Sequence, residues 1–170
     1  EVELIDRILD YFVEQTFRLH HPWGIRWKAS MSTNGTLYFR PEVQRFLKKW
    51  ADHLSLSISI DGDKQLHDSC RVFPDGSGSY DLAIAAAKDY MANGHYLGSK
   101  MTIAPGNVDY LYHAVIGLMD AGYHAINLNC VYEKGWTPDH AATLYKQLKQ
   151  LADYILTLDD QPYLWIFSEI

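Results

Sequence analysis

Leu54-Ser55-Leu56-Ser57-Ile58-Ser59-Ile60-Asp61-Gly62 is the stretch on which the fold turns. Aliphatic residues alternate with serines and then an aspartate, the period-2 pattern of a strand with one apolar and one polar face. Inner strands of an open, doubly wound sheet lie under helices on both sides and read as unbroken apolar runs. This strand does not, and neither do its counterparts. Ile25, Trp27, Ala29 and Met31 alternate with Arg26, Lys28 and Ser30. Leu97, Ser99, Met101 and Ile103 alternate with Gly98, Lys100 and Thr102, and Ile126, Leu128 and Cys130 with Asn127 and Asn129. Helices on one face and a hydrated, ligand-bearing lumen on the other account for the pattern, whereas a packed eight-stranded barrel fills its lumen with branched apolar residues. A sheet with one solvent face gives the same alternation. Arg26 and Lys28, if they point inward, make the lumen locally basic.

Outward from that strand, helical and strand patterns alternate. The first helix covers Val2 to Leu19, with Leu4/Ile5, Ile8/Leu9 and Phe12/Val13 at helical spacing. A strand is predicted near Ile25–Met31, followed by the turn Thr33-Asn34-Gly35. Pro41 opens a helix to Asp52. A polar loop spans Asp61–Ser79. A helix from Tyr80 to Asn93 ends at Gly94, and a strand follows over Tyr96–Ile103. A helix over Val108–Ala121 ends at Gly122, before a strand at Ala125–Val131. Thr137 and Pro138 open a helix to Leu156, and the apolar run Tyr163–Phe167 reads as one more strand. Met91-Ala92-Asn93-Gly94-His95-Tyr96 echoes Met119-Asp120-Ala121-Gly122-Tyr123-His124 at an offset of about one strand-plus-helix unit. Such alternation builds a parallel sheet with right-handed crossovers. The expected fold is therefore α/β, a partial (β/α) barrel of parallel strands with helices on the outer face, residues 1–170 forming a single domain.

The composition narrows the function. Of 170 residues, 48% are hydrophobic and 14% aromatic, enough for a core. The net charge of -6 disfavours nucleic acid as a partner. No apolar run approaches a membrane span, and no signal peptide opens the chain. The start at Glu1 rather than Met reads as an excised or processed product. Cys70 and Cys130 belong to no clustered motif, and two free thiols suit a reducing cytoplasm.

Chemistry concentrates at the C-terminal end of the quoted strand, where parallel α/β folds bind ligands. Ser59 offers a hydroxyl donor and acceptor. Asp61 is an acceptor suited to ribose hydroxyls or an ammonium group. His67 and Asp68 are adjacent, and Arg71 has the fork that takes a carboxylate. The glycines of Pro74-Asp75-Gly76-Ser77-Gly78-Ser79 permit close backbone approach to a ligand or a simple turn.

The succession S-I-D-G, H-D-x-x-R and a G-x-G-S-aromatic-D segment resembles radical S-adenosylmethionine enzymes, in particular the anaerobic sulfatase-maturating and related peptide-maturase group. Lys28-Ala29-Ser30-Met31-Ser32-Thr33-Asn34-Gly35-Thr36-Leu37 is similar to the group's preceding strand, which ends in T-N-G-T-L. The two blocks cover about Ile25–Asp81, and the alternation extends the likeness to about Leu156. The resemblance implies S-adenosylmethionine and a 4Fe–4S cluster in the parent protein. The cluster cleaves the cofactor, and a 5′-deoxyadenosyl radical abstracts hydrogen from a peptide or protein substrate. By position, it implies that Ser59 and Asp61 lie near the ribose and methionine moieties, that Thr33 and Asn34 face cofactor or substrate, and that Arg71 holds the loop or touches the cofactor.

The departure is the absence of C-x3-C-x2-C and of the glycine-rich GGE motif, both expected upstream of Glu1. This chain is thus expected to be the central or C-terminal portion of such a barrel, inactive alone, with no cluster and no cofactor of its own, and prone to self-associate through an open sheet edge. The alternatives are a self-contained α/β small-ligand-binding domain without redox chemistry and another TIM-barrel-like enzyme. A metal phosphohydrolase built on His67-Asp68 is disfavoured because that dipeptide is read as lying on a loop. His20, His21, His53, His95, His113, His124 and His140 read as surface or capping residues. Tyr90, Tyr110, Tyr112 and Tyr145 read as helix packing residues, and Trp136, after Glu133-Lys134-Gly135, as a groove lining or a hydrophobic plug.

Overall fold

The apolar faces of the central strands lie under helices, and their polar faces are left open. The computed structural model describes residues 1–132 and 134–167. Its elements are α1 (Val2–Arg18), β1 (Ala29–Thr33), α2 (Pro41–Lys49), β2 (Leu54–Ile58), α3 (Lys64–Cys70), α4 (Tyr80–Ala92), β3 (Gly98–Ile103), α5 (Leu111–Asp120), β4 (Ala125–Cys130), α6 (Pro138–Ile155) and β5 (Tyr163–Leu164). The strands form one sheet in the order β1-β2-β3-β4-β5, all neighbours parallel. Because that order repeats the chain order, right-handed crossovers put all the connecting helices on one face. A doubly wound sheet reverses direction at a switch point instead. The chain is therefore a partial (β/α) barrel with its helices outside, as the alternation predicts.

Leu56, Ile58 and Ile60 are buried with Met101, Ile103 and Leu128 under the outer helices. Each such side chain contributes about 1.5–3 kcal/mol on leaving water. A smaller cluster of Phe46, Trp50 and Leu54 sits beneath α1 and α2. The repeated hexapeptide proves to be one device used twice. Gly94 and Gly122 take φ of 81° and 97°, and each donates its N–H to the carbonyl three residues back, Met91 and Met119, at 2.9 Å. Only glycine reaches that conformation without strain, so both helices stop there and turn into β3 and β4.

The structure departs from the sequence expectation at three elements and at Tyr145. The first strand begins at Ala29, not Ile25. Pro22–Gly24 form a 3-10 turn, Ile25 is 78% exposed, and Trp27 stacks on His53 at 4.4 Å and meets Trp50 edge-on at 5.6 Å. The large ring is drawn into the α1–α2 cluster rather than into the sheet, and Arg26 and Lys28 consequently precede the strand. The polar loop contains α3, capped by Asp63, whose carboxylate accepts the Leu66 N–H at 3.0 Å, and the His67-Asp68 dipeptide is helical. Tyr145 is 72% exposed and packs on nothing in the core. The terminal apolar run is a strand only at Tyr163–Leu164 and then a 3-10 turn, Trp165–Phe167.

Candidate functional site

Register places the polar residues of each strand in rows across the open face. Ser32, Ser57, Gly98, Ala125 and Tyr163 form one row. The row toward the strand C-termini begins with Asn34 and Ser59. The Ser59 N–H donates to the Thr33 carbonyl at 2.8 Å, which sets Ser59 beside Asn34 in the parallel ladder. Thr33 itself pairs with Ile58, so its side chain is on the helix side. Its hydroxyl accepts the Gly35 N–H at 3.2 Å. Asn34 bends the turn further by accepting from the Thr36 N–H at 3.2 Å and the Thr36 hydroxyl at 3.0 Å. Of these two sequence-predicted residues, Asn34 stands on the lumen side, and Thr33 shapes the turn beneath it.

One row higher lies Asp61. It is only 6% exposed, and its carboxylate is fully engaged. Oδ1 accepts the Thr102 backbone N–H at 3.2 Å, and Oδ2 is paired with the Arg71 Nε. The internal cation and the β3 backbone hold this acceptor in place. Nε alone of the Arg71 guanidinium donates among the described residues, and about a third of the side chain remains exposed.

The segment that carries Arg71 is tied down by a buried relay. The Asp61 N–H donates to His67 Nδ1 at 3.3 Å, so the proton sits on Nε2, which donates to the Ser79 hydroxyl at 3.0 Å. That hydroxyl donates to the Arg71 carbonyl at 2.9 Å, and the Ser79 N–H donates to the same carbonyl at 3.1 Å. His67 is wholly buried. Burial, and then the nearby Arg71 charge, hold its pKa below the usual histidine value, so it stays neutral. Asp68 accepts the Tyr80 N–H at 2.9 Å and pairs with Lys64 at 3.7 Å. Gly78 fits against Asp68 so closely that an added Cβ would lie 2.0 Å from the carboxylate carbon. The H-D-x-x-R and G-x-G-S blocks are thus two halves of one clamp around Arg71. The sequence singled out both blocks; the missing signal was that they close on each other. A short bridge between Val72 and Gly78 completes the closure.

The other candidates fall elsewhere. Trp136 donates from Nε1 to the Val131 carbonyl at 2.9 Å and plugs the β4–α6 loop, while Glu133 lies outside the described residues. His140 closes the capping box of α6, and His21 caps the turn at Pro22. Cys70 is exposed on α3 and Cys130 points to the helix side of β4 in register with Ile103. Among the described residues no group of three His, Cys, Asp or Glu side chains is placed to hold a metal, so these residues do not fit an iron–sulfur cluster. No helix among them is long and apolar enough to cross a membrane.

Sequential parallel strands, outer helices and an open polar face with a braced strand-end rim make this chain a partial (β/α) barrel. Among solved structures, the chain is similar to an anaerobic sulfatase-maturating enzyme described as "Native anSMEcpe with bound AdoMet", with a TM-score of 0.73 and 17% identity over 94% of this chain and 46% of that one. The same enzyme bound to AdoMet and the Kp18Cys peptide gives 0.73 and 17% at the same coverage. With the Cp18Cys peptide the values are 0.74 and 18%, over 94% of this chain and 47% of that one. At these identities the likeness is one of fold, and the chain spans less than half the length of the structures it matches. No protein-family model and no curated protein matches the sequence.

Proposed function

We propose that this chain is the cofactor-binding middle of a radical S-adenosylmethionine oxidoreductase that modifies a peptide or protein. The observation that carries this reading is the Arg71 clamp. A part-buried ion pair with Asp61 and a neutral-histidine relay fix one guanidinium at the strand-end rim, on a fold shared with AdoMet-bound enzymes. When bound in such enzymes, the cofactor supplies a 5′-deoxyadenosyl radical that abstracts hydrogen from the substrate. In this chain the Arg71 terminal nitrogens and the Ser59 hydroxyl would take the methionine carboxylate. The Asn34 carboxamide would face the ribose or the substrate. Thr33 would set the turn that presents Asn34, and Asp61 would orient Arg71 from behind. Cluster ligands would come from the parent protein outside these residues, so the chain alone performs no radical chemistry. The free thiols of Cys70 and Cys130 support a reducing, cytoplasmic setting.

A second reading, a self-contained binding domain without redox chemistry, draws on the lack of a three-ligand metal group among the described residues. Sequencing the parent gene upstream of the Glu1 codon separates the two. C-x3-C-x2-C and a GGE-like turn within roughly 80 residues, about two βα units, are expected. A start codon directly before Glu1, with no cysteine cluster, sinks the radical-enzyme reading.

A further inference from the structure

Lys100 is a charged residue on the open face of the sheet that the clamp does not use. Its neighbours Ser99 and Met101 are fully buried on the helix side, so Lys100 stands on the opposite, open face. It is in register with Asn127, and Thr102 is in register with Asn129. On the other side of β3, Gly98 lies opposite Ser57, two residues before Ser59 on β2's exit. Adjacent strands lie about 4.8 Å apart, and two residues along a strand advance about 6.6 Å. Among the described residues, the side chains of Ser59, Lys100, Thr102, Asn127 and Asn129 make no hydrogen bond or ion pair within the chain. Asp61, the carboxylate on the same face, is already balanced by Arg71.

Resting on the proposed peptide-modifying role, we infer that Lys100 and Asn127 form a carboxylate-binding subsite and that the substrate peptide is acidic at the residue seated there. A carboxylate has two oxygens. The Lys100 ammonium takes one, and the Asn127 amide N–H, one strand away, takes the other. Asn129 and Thr102 lie one two-residue step further along. That step matches the repeat of an extended peptide, so they can receive its main-chain amides. Lys100 is a specificity-determining residue in this arrangement, and an uncharged peptide covers its ammonium without offering a counter-charge.

The test is a backbone-amide NMR titration of the 170-residue chain at low salt, run on the native sequence, Lys100→Gln and Lys100→Arg. The probes are N-acetylated, C-amidated Ala-Ala-Glu-Ala-Ala, its glutamine counterpart, the glutamine peptide with a free C-terminus, and S-adenosylmethionine. The glutamate peptide should shift Lys100, Asn127 and Asn129 at least tenfold more tightly than the amidated glutamine peptide. Lys100→Gln should abolish that preference, and Lys100→Arg should keep it. If the free-carboxyl peptide binds instead, the carboxylate subsite stands and its source is a chain terminus. The inference is overturned if no probe binds in a Lys100-dependent way. It is also overturned if S-adenosylmethionine alone does so, since the carboxylate is then the cofactor's. Lys100 is exposed, so circular dichroism should show both variants folded. A missing upstream cysteine cluster would remove the radical-enzyme reading while leaving any carboxylate preference measured here intact.

Discussion

At Arg71, stability and proposed chemistry share one side chain. Its Nε satisfies a carboxylate that is almost wholly buried, so truncation strands a charge. Arg71→Ala should cost about 2–3 kcal/mol in urea denaturation, the worth of a hydrogen bond to a charged group together with its desolvation. Arg71→Lys should recover only part of this, because an ammonium lacks the rigid fork. An unchanged midpoint in Arg71→Ala would show that Asp61 finds another partner. Tyr123 makes the opposite case. Its ring is in the core, but its hydroxyl is buried without a partner among the described residues, and burial pushes its pKa up. Tyr123→Phe removes the orphan donor and keeps the ring, so thermal melting should show no loss and a gain of up to about 1 kcal/mol. Little of this was legible in the sequence. Ser59, Asp61 and Arg71 could be picked out by type and position. That Asp61 spends both its oxygens inside the protein depends on the β3 backbone arriving at Thr102, more than 40 residues downstream.

Among the elements, the strands were the easiest to read, because β2, β3 and β4 carry strict alternation between a covered and an open face. The misreadings have separate causes. Ile25 and Trp27 alternate with charged residues just as a strand does, but Trp27 is claimed by an aromatic cluster that its local sequence does not reveal. Helix α3 has only seven residues and few inward side chains, too short a window for helical periodicity to stand out from its glycine-flanked surroundings. Its one fully buried side chain, His67, gives this element a pH signature. The pKa of His67 is depressed in the folded state. Below about pH 6.5 the unfolded chain therefore binds a proton that the native chain resists, and stability falls as pH drops through that value toward the folded pKa. His67→Gln cannot titrate there. Its urea midpoint should lie below that of the native sequence at pH 7.5, and the gap should narrow at pH 5. A gap independent of pH would mean that His67 is not held neutral.

For the molecule as a whole, the sheet is open at β1, which pairs only with β2 among the described residues. Its outer N–H and C=O groups form a template for another strand. Leu4, Ile8 and Tyr11 on nearby α1 are also exposed. Light scattering should show self-association that rises with concentration, and Ser32→Lys should weaken it by charging the edge. A clean monomer over a wide concentration range would argue against edge pairing.

The strand order also determines when each part of the sheet is able to form. Every strand pairs with the one made just before it, so no ladder waits for a distant segment to emerge. Among parallel sheets, whose long crossovers slow folding, this is the arrangement with the nearest partners. Each new βα unit can dock on a finished edge during synthesis. The two-residue β5 is added last, after the four strands that carry the clamp and the Lys100 row are already in register.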